Sequence, residues 1–213
     1  MKKVDKGKKM EYYEVKTIIL RGSSMYEILV LGATYAAAGL AKRYAEKCLV
    51  LESRAEAGYE FFKNADRRIY NDLKECRTVF GVKVVSVEKT EKGFLCVTHG
   101  VEGFRSYEAR RVVDTRCNAA MSESKTYNLL IDKGGERELL RLPVPLDCSF
   151  PEARKIAKTV LEGFSTERLV YMADEFDYRV KAGYPKEENG ILYLPSKAYE
   201  TPELAFKAGQ EVQ

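Results

Sequence analysis

"MYEILVLGATYAAAGLAKRYAEKCLVLES", residues 25–53, holds a short apolar run ended by glycine, an alanine-rich stretch, and a second apolar run ended by an acid. "EILVLG" (27–32) has the pattern of a strand buried on both faces. "YAAAGLAKRYAEK" (35–47) reads as a helix that closes with charged residues, and "CLVLES" (48–53) as a second buried strand. Strand, helix and strand fit within about 30 residues, the size of a compact right-handed crossover.

Such a turn from strand into helix suits an anion. The free backbone N–H groups and the positive end of the helix dipole both face outward there. A dinucleotide-binding turn uses glycine three times: for the tight turn, for close approach of the phosphate, and for packing of helix on strand. Here the stretch is Gly32-Ala33-Thr34-Tyr35-Ala36-Ala37. Gly32 supplies the turn, and Ala37 adds one methyl group at the third position. Thr34 is the larger departure: it puts a branched side chain where a phosphate should lie, although its hydroxyl can donate to a phosphate oxygen. Glu52 follows Gly32 by twenty residues, where an acid accepts hydrogen bonds from ribose hydroxyls. Arg54, two residues on, is placed to meet an adenosine phosphate, which keeps NADP open beside FAD. Tyr35, inside the loop, can stack or hydrogen-bond at a bound nucleotide. Pure packing of helix on sheet would also account for Gly32 and the alanines, with Glu52 a solvated strand end.

The bulk properties narrow the classes. The chain has 213 residues, 45% hydrophobic and 32% charged, enough for one sizeable core. Its 36 basic and 32 acidic side chains are mixed along the chain, and the one basic cluster, "MKKVDKGKK", reads as a solvated terminus. No nucleic-acid partner is expected. No apolar run approaches the ~18 residues of a membrane span, so a cytoplasmic protein without a membrane partner is expected. Five cysteines stand singly and far apart, which argues against a disulfide framework and a zinc site. With one histidine as well, no metal site is expected.

Residues 1–24 read as an N-terminal extension, and residues 55–78 are helical in character. "GVKVVSVEKT", "FLCVTHG" and "FRSYEARRVVDT" alternate apolar and polar residues between glycine-containing turns, which predicts an antiparallel meander whose last strand rejoins the parallel sheet. "TYNLLID", "KGGE" and "ELLRLPVPL" predict a hairpin. Ser149 and Pro151 open a helix over 149–164. A Ser/Thr cap followed by Glu favours helix for 165–181, with strand as the alternative for its middle. "GILYLPS" (190–196) is a buried strand and "TPELAFKAG" (201–209) a closing helix, with Thr201 at its start and Gly209 near its end. The expected fold is α/β: a Rossmann-like, mainly parallel sheet with an antiparallel β-meander and a small α+β portion. The expected division is a Rossmann-like domain of 25–119 and 186–213 and a cap-like region of 120–185.

This order of motifs resembles the two-dinucleotide-binding-domain flavoproteins, a family of FAD-dependent oxidoreductases. "RRVVDT" is similar to the family's "RRVVDATG" strand beside the flavin nucleotide, and "NGILYLPSKAYETPELAFKAGQ" resembles its last strand and helix, "LYLAGD…A…AG". The resemblance implies an FAD-binding fold with the adenosine half on Gly32, Ala33, Thr34, Tyr35 and Ala37 and on Glu52, Ser53 and Arg54. It also implies a backbone contact to adenine at Val84 or Val85, and contacts from Thr115 and Ser196 at the ends of later strands.

The departures from the family fall on the cofactor. Arg116 and Cys117 stand where small residues lie close to the nucleotide, and Lys197 stands where an Asp binds the ribityl or phosphate region. A cation there can pair with a pyrophosphate but cannot copy the acceptor. Two functions follow. One is an FAD-dependent oxidoreductase-like protein, reduced or inactive in the extreme. The other is a non-catalytic nucleotide-binding or assembly subunit with a flavoprotein-like fold. The family usually carries a full substrate domain over the flavin ring, for which only residues 126–185 remain here; if another chain supplies the rest of that cap, an oligomer follows. His99, at a strand end with no partner at a diagnostic spacing, reads as a surface residue, and "DEFDY" (174–178) as a charged helix face.

Overall fold

The computed structural model describes residues 25–57, 67–133, 136–162 and 169–213. The proposed N-terminal extension, the first part of the helix expected from residue 55, the "GG" of the hairpin turn and the Ser/Thr cap at 165–166 lie outside the described residues.

The opening unit folds as the sequence predicts: β1 (Tyr26–Leu31), α1 (Tyr35–Tyr44) and β2 (Cys48–Leu51), with β1 and β2 parallel. Alanine gives α1 high helix propensity and a slim profile, and Ala36 through Ala41 are all buried. Thr34 caps the helix: in extended conformation, it accepts the Ala37 N–H at 3.1 Å. The helix ends at Ala45, whose φ of 45° and ψ of −128° are unusual for a residue with a side chain.

The helical reading of 55–78 is corrected at its end. Within the described residues α2 spans Arg67–Leu73, and Arg77–Val79 forms a short strand, β3, parallel to β2. β-Branched Thr78 and Val79 suit a strand, and the free edge of β2 offers backbone partners that a helix would leave unused.

The meander is present as β4 (Lys83–Thr90), β5 (Gly93–Gly100) and β6 (Gly103–Asp114). β6 serves two purposes along its twelve residues. Its first half pairs antiparallel with β5, and its second half runs parallel beside β1, with Ile28 opposite Arg111 and Leu31 opposite Asp114. The alternation then gives way to the continuous apolar pattern of a strand buried on both faces, with Val112 and Val113 inside.

β7 (Ser122–Lys133), β8 (Glu136–Val144) and β9 (Leu169–Val180) make a second, antiparallel sheet in the order β8-β7-β9. The preferred helix over 165–181 is therefore corrected to strand for 169–180. Val170, Tyr171, Phe176 and Tyr178 favour strand, and pairing with the second edge of β7, Tyr127 against Phe176, decides it. Helix α3 (Phe150–Leu161) packs Ala153, Ala157 and Leu161 on this sheet around Tyr127, Leu129 and Ile131. Glu152 closes its first turn: the Ser149 N–H and hydroxyl both donate to Glu152 Oε2 at 2.7 Å. Tyr127 donates its hydroxyl to Asp174 at 2.7 Å, and Arg154 on α3 donates to the same carboxylate.

The chain returns through β10 (Lys186–Glu188) and β11 (Ile191–Tyr193) to α4 (Pro202–Glu211). The larger sheet has the order β10-β11-β6-β1-β2-β3, with β4 and β5 joined through β6. Helices α1 and α4 cross in backbone contact. A Cβ on Gly39 would lie 2.0 Å from the Phe206 carbonyl oxygen, and one on Gly209 would lie 2.1 Å from that of Ala36. Gly209, near the end of α4 as expected, is thus also a crossing point. The architecture is α/β, a mainly parallel mixed sheet with antiparallel strands and few helices.

Candidate functional site

In the parallel part of the sheet the chain leaves β1 on one side toward β2 and returns on the other side as β6. The connections diverge there, which opens a crevice beyond the strand ends, the usual ligand position in such sheets. Gly32 follows β1 in this crevice with φ +95°, a conformation that disfavours side chains, and its N–H donates to Leu51 at 2.8 Å. Thr115 follows β6; its N–H and its hydroxyl both reach the Leu31 carbonyl at 3.0 Å.

A cavity of about 180 Å³ lies at these strand ends. Ala33, Thr34 and Thr115 line it from the ends of β1 and β6, and Glu52, Ser53 and Arg54 from the end of β2. Arg116, Cys117 and Lys197 line it as well, and Glu175, Phe176 and Tyr178 of β9 close the opposite wall.

The turn is already hydrogen-bonded to its own side chains. Ala33 donates to Glu52 Oε2 at 2.8 Å, Ala36 to Ser196 Oγ at 3.0 Å, and Ala37 to Thr34 Oγ1 at 3.1 Å. Glu52 Oε1 accepts the Arg54 N–H at 2.9 Å and the Ser53 hydroxyl at 3.2 Å.

Charge in the cavity is paired. Arg116 makes a two-pronged bond to the buried Asp114 carboxylate, Nε to Oδ1 at 2.9 Å and Nη2 to Oδ2 at 2.8 Å. Burial opposes the Arg116 charge, but the Asp114 bonds and the nearby Glu52 outweigh it and raise the guanidinium above its ordinary value. Across the cavity Arg54 stands 4.0 Å from Glu175, and Lys197 bonds Asp177. Burial pushes the Glu175 carboxyl up to about 6, against the pull of Arg54 and Lys197.

A glycine turn, a carboxylate at the second strand end and a meander feeding back beside the first strand occur together here. The fold is similar to that of solved hydroxylases, one of them in complex with FAD. Aklavinone-11 hydroxylase, solved in complex with FAD and aklavinone, superposes with a TM-score of 0.56 at 10% identity, over 88% of this chain and 61% of that one. The anhydrotetracycline hydroxylase of Streptomyces rimosus gives 0.53 at 11% identity, over 80% and 56%. A flavoprotein/dehydrogenase from Cytophaga hutchinsonii gives 0.52 at 13% identity, over 88% and 76%. The chain thus spans about three fifths of the length of these two hydroxylases. No protein-family model and no curated protein matches the sequence.

Of the residues that the sequence singles out, Ala33, Thr34, Glu52, Ser53, Arg54 and Thr115 meet at the cavity. Gly32, Ala37 and Ser196 stand behind it, shaping and bonding the turn. Tyr35 packs against the core around α1 rather than lining the cavity. Val84 and Val85 are not brought there either: Val84 packs on the cluster between the meander and the sheet, and Val85 is exposed. His99 is exposed and lies 4.8 Å, ring to ring, from Phe104. Glu175, Phe176 and Tyr178 are not legible as site residues, because the sequence of their segment favours helix. The alternation of "LVYMADEFDYRV" is too irregular to mark which face meets the turn. Among the described residues no cluster of His, Cys, Asp and Glu could hold a metal ion, and no helix is long and apolar enough to cross a membrane.

Proposed function

We propose that this chain is an FAD-binding, oxidoreductase-like protein that holds the adenosine end of the cofactor between the Gly32–Ala37 turn and Glu52. The observation that carries this reading is the Glu52 carboxylate, 2.8 Å from the Ala33 N–H at the strand ends where the connections diverge.

The donor set fits that end of FAD. A carboxylate offers about four acceptor positions, and Ala33, Ser53 and Arg54 use three of those on Glu52. One ribose hydroxyl is accommodated directly, and the second replaces Ser53. Arg54, Arg116 and Lys197 supply positive charge for the phosphates, in place of N–H groups that the turn has given to Ser196 and Thr34. The cavity holds less than the ~300 Å³ at which ligand pockets usually begin, so a whole dinucleotide extends beyond it. FAD, when bound, supplies the redox chemistry, while the protein binds, orients and shields it.

The residues have defined parts in this reading. Gly32 permits the turn, Thr115 ties the ends of β6 and β1 together, and the Thr34 hydroxyl keeps its proton to donate to a phosphate oxygen. Arg54 and Lys197 exchange Glu175 and Asp177 for phosphate. The substrate and electron acceptor would meet the flavin outside the described cavity.

A second reading, a non-catalytic nucleotide-binding or assembly subunit, draws on one observation: the three N–H groups at Ala33, Ala36 and Ala37 have side-chain acceptors. Arg54 beside the adenosine position likewise keeps NADP as the alternative cofactor. The absorbance spectrum of the purified protein, before and after adding FAD and then desalting, separates these readings. Retained flavin absorbance supports the first, and a colourless protein after desalting overturns it.

A further inference from the structure

The cysteines look isolated along the chain, but the parallel sheet brings two of them side by side. Cys48 opens β2, and Cys76 immediately precedes β3. The register pairs Leu49 with Arg77, Val50 with Thr78 and Leu51 with Val79. One step back sets Cys48 opposite Cys76. Opposed residues on neighbouring strands stand about 5 Å apart, inside the ~4.4–6.8 Å that a disulfide spans between Cα atoms.

The side chains share one environment. Cys48 is fully buried in the core around α1, and half-buried Cys76 packs against the same cluster. Thr78, two residues on from Cys76 and on its face, holds its hydroxyl 3.6 Å from the Cys76 sulfur. The Cys76 sulfur also lies 3.4 Å from the Leu73 carbonyl oxygen. The neighbouring Cys48 thiol pulls Cys76 below the ordinary thiol range, and the Cys76 thiol together with burial pushes Cys48 above it. The pair is therefore asymmetric, with the half-buried Cys76 thiol the more acidic of the two and the buried Cys48 thiol the less.

We propose that Cys48 and Cys76 form a cross-strand dithiol that low-molecular-weight disulfides oxidise reversibly to an intramolecular disulfide. In the first step the Cys76 thiolate attacks one sulfur of a small disulfide RSSR. The S–S bond breaks, RS⁻ leaves, and Cys76 carries a mixed disulfide. In the second step Cys48 gives up its proton and attacks the Cys76 sulfur, expelling the second RS⁻. Two protein thiols lose two electrons and two protons, and RSSR becomes two RSH. The product links β3, the edge strand, to β2. These strands lead directly to the site: the Glu52 N–H donates to Val79 at 2.9 Å, and Gly81 donates to Arg54 at 3.0 Å.

The test treats the full chain with oxidised glutathione, alkylates remaining thiols in denaturant and maps the peptides. The expected result is a Cys48–Cys76 linked peptide, three alkylated cysteines (Cys96, Cys117 and Cys148), and five after dithiothreitol. A variant with those three cysteines replaced by serine is expected to lose both remaining thiols in the same way. Cys76→Ser, with its fold checked by circular dichroism, is expected to leave Cys48 reduced. Five alkylated cysteines after oxidation, glutathione retained on Cys76 with Cys48 free, or linkage of either residue elsewhere would overturn the proposal.

Discussion

Glu52 and Ala33 are joined across the opening of the cavity, the carboxylate of one strand end accepting the first N–H after the glycine of another at 2.8 Å. This bond holds the turn in shape without a ligand, while Ser53 occupies an acceptor position of Glu52 that a ribose hydroxyl would use. Ligand binding at this site is therefore an exchange of partners, and the predictions below follow from who is exchanged.

Ser196→Ala removes the acceptor of the Ala36 N–H, a group buried at the start of α1. An unsatisfied buried donor costs about 1–3 kcal/mol. Thermal unfolding should show that loss for the free protein, and added FAD should recover part of it by supplying a phosphate acceptor. A Tm that FAD shifts no further in Ser196→Ala than in the wild type would contradict competition for this N–H.

Glu175 predicts a pH dependence. Its carboxyl titrates at about 6 when folded, against 4.5 for the free side chain. Between these values the folded state binds more proton than the unfolded state, so stability falls as pH rises through this window and is flat above it. The difference amounts to about 2 kcal/mol. Chemical denaturation at a series of pH values should show Glu175→Gln gaining on the wild type from pH 4.5 to 6, with no further gain above. FAD affinity should also be higher at pH 5 than at pH 7.5, because the protonated carboxyl releases Arg54, and Glu175→Gln should remove that difference.

The helix crossing gives a packing prediction. Gly209→Ala puts a methyl group onto the Ala36 carbonyl oxygen, and Gly39→Ala does the same at Phe206. Overpacking costs typically about 1–3 kcal/mol, and urea unfolding should place both variants at or above that range. A neutral result for both would mean that α1 and α4 do not cross here.

Ala45 is expected to behave in the opposite way. Its backbone, φ 45° and ψ −128°, suits glycine. Ala45→Gly should raise stability by about 1 kcal/mol, strain relief exceeding the entropy that glycine adds to the unfolded chain. A lowered Tm would contradict the backbone geometry at the end of α1.

Much of the fold was legible because its signals are local. Gly32, the alanines of α1 and two continuous apolar runs define the first crossover, and alternation defines β4 to β6. β3 was hidden because three residues carry no period of their own and adjoin a helical stretch. β9 was hidden for a different reason: its Ser/Thr-Glu opening imitates a helix start, and only the edge of β7, far away in sequence, decides the matter. The site divides in the same way. The turn and Glu52 follow from spacing, whereas the wall of Glu175, Phe176 and Tyr178, and the meeting of Cys48 with Cys76, arise from pairing between strands.

The central claim is that Glu52 and the Gly32 turn hold the adenosine end of FAD. Its most direct test is the dissociation constant for FAD, measured by flavin fluorescence quenching, for the wild type and for Glu52→Ala. Loss of charge-assisted hydrogen bonds to ribose, at roughly 1.5–3 kcal/mol, predicts binding weaker by about one to two orders of magnitude in the variant, with the fold intact by circular dichroism. Equal affinity in the two proteins, or no measurable binding in the wild type, would contradict the account.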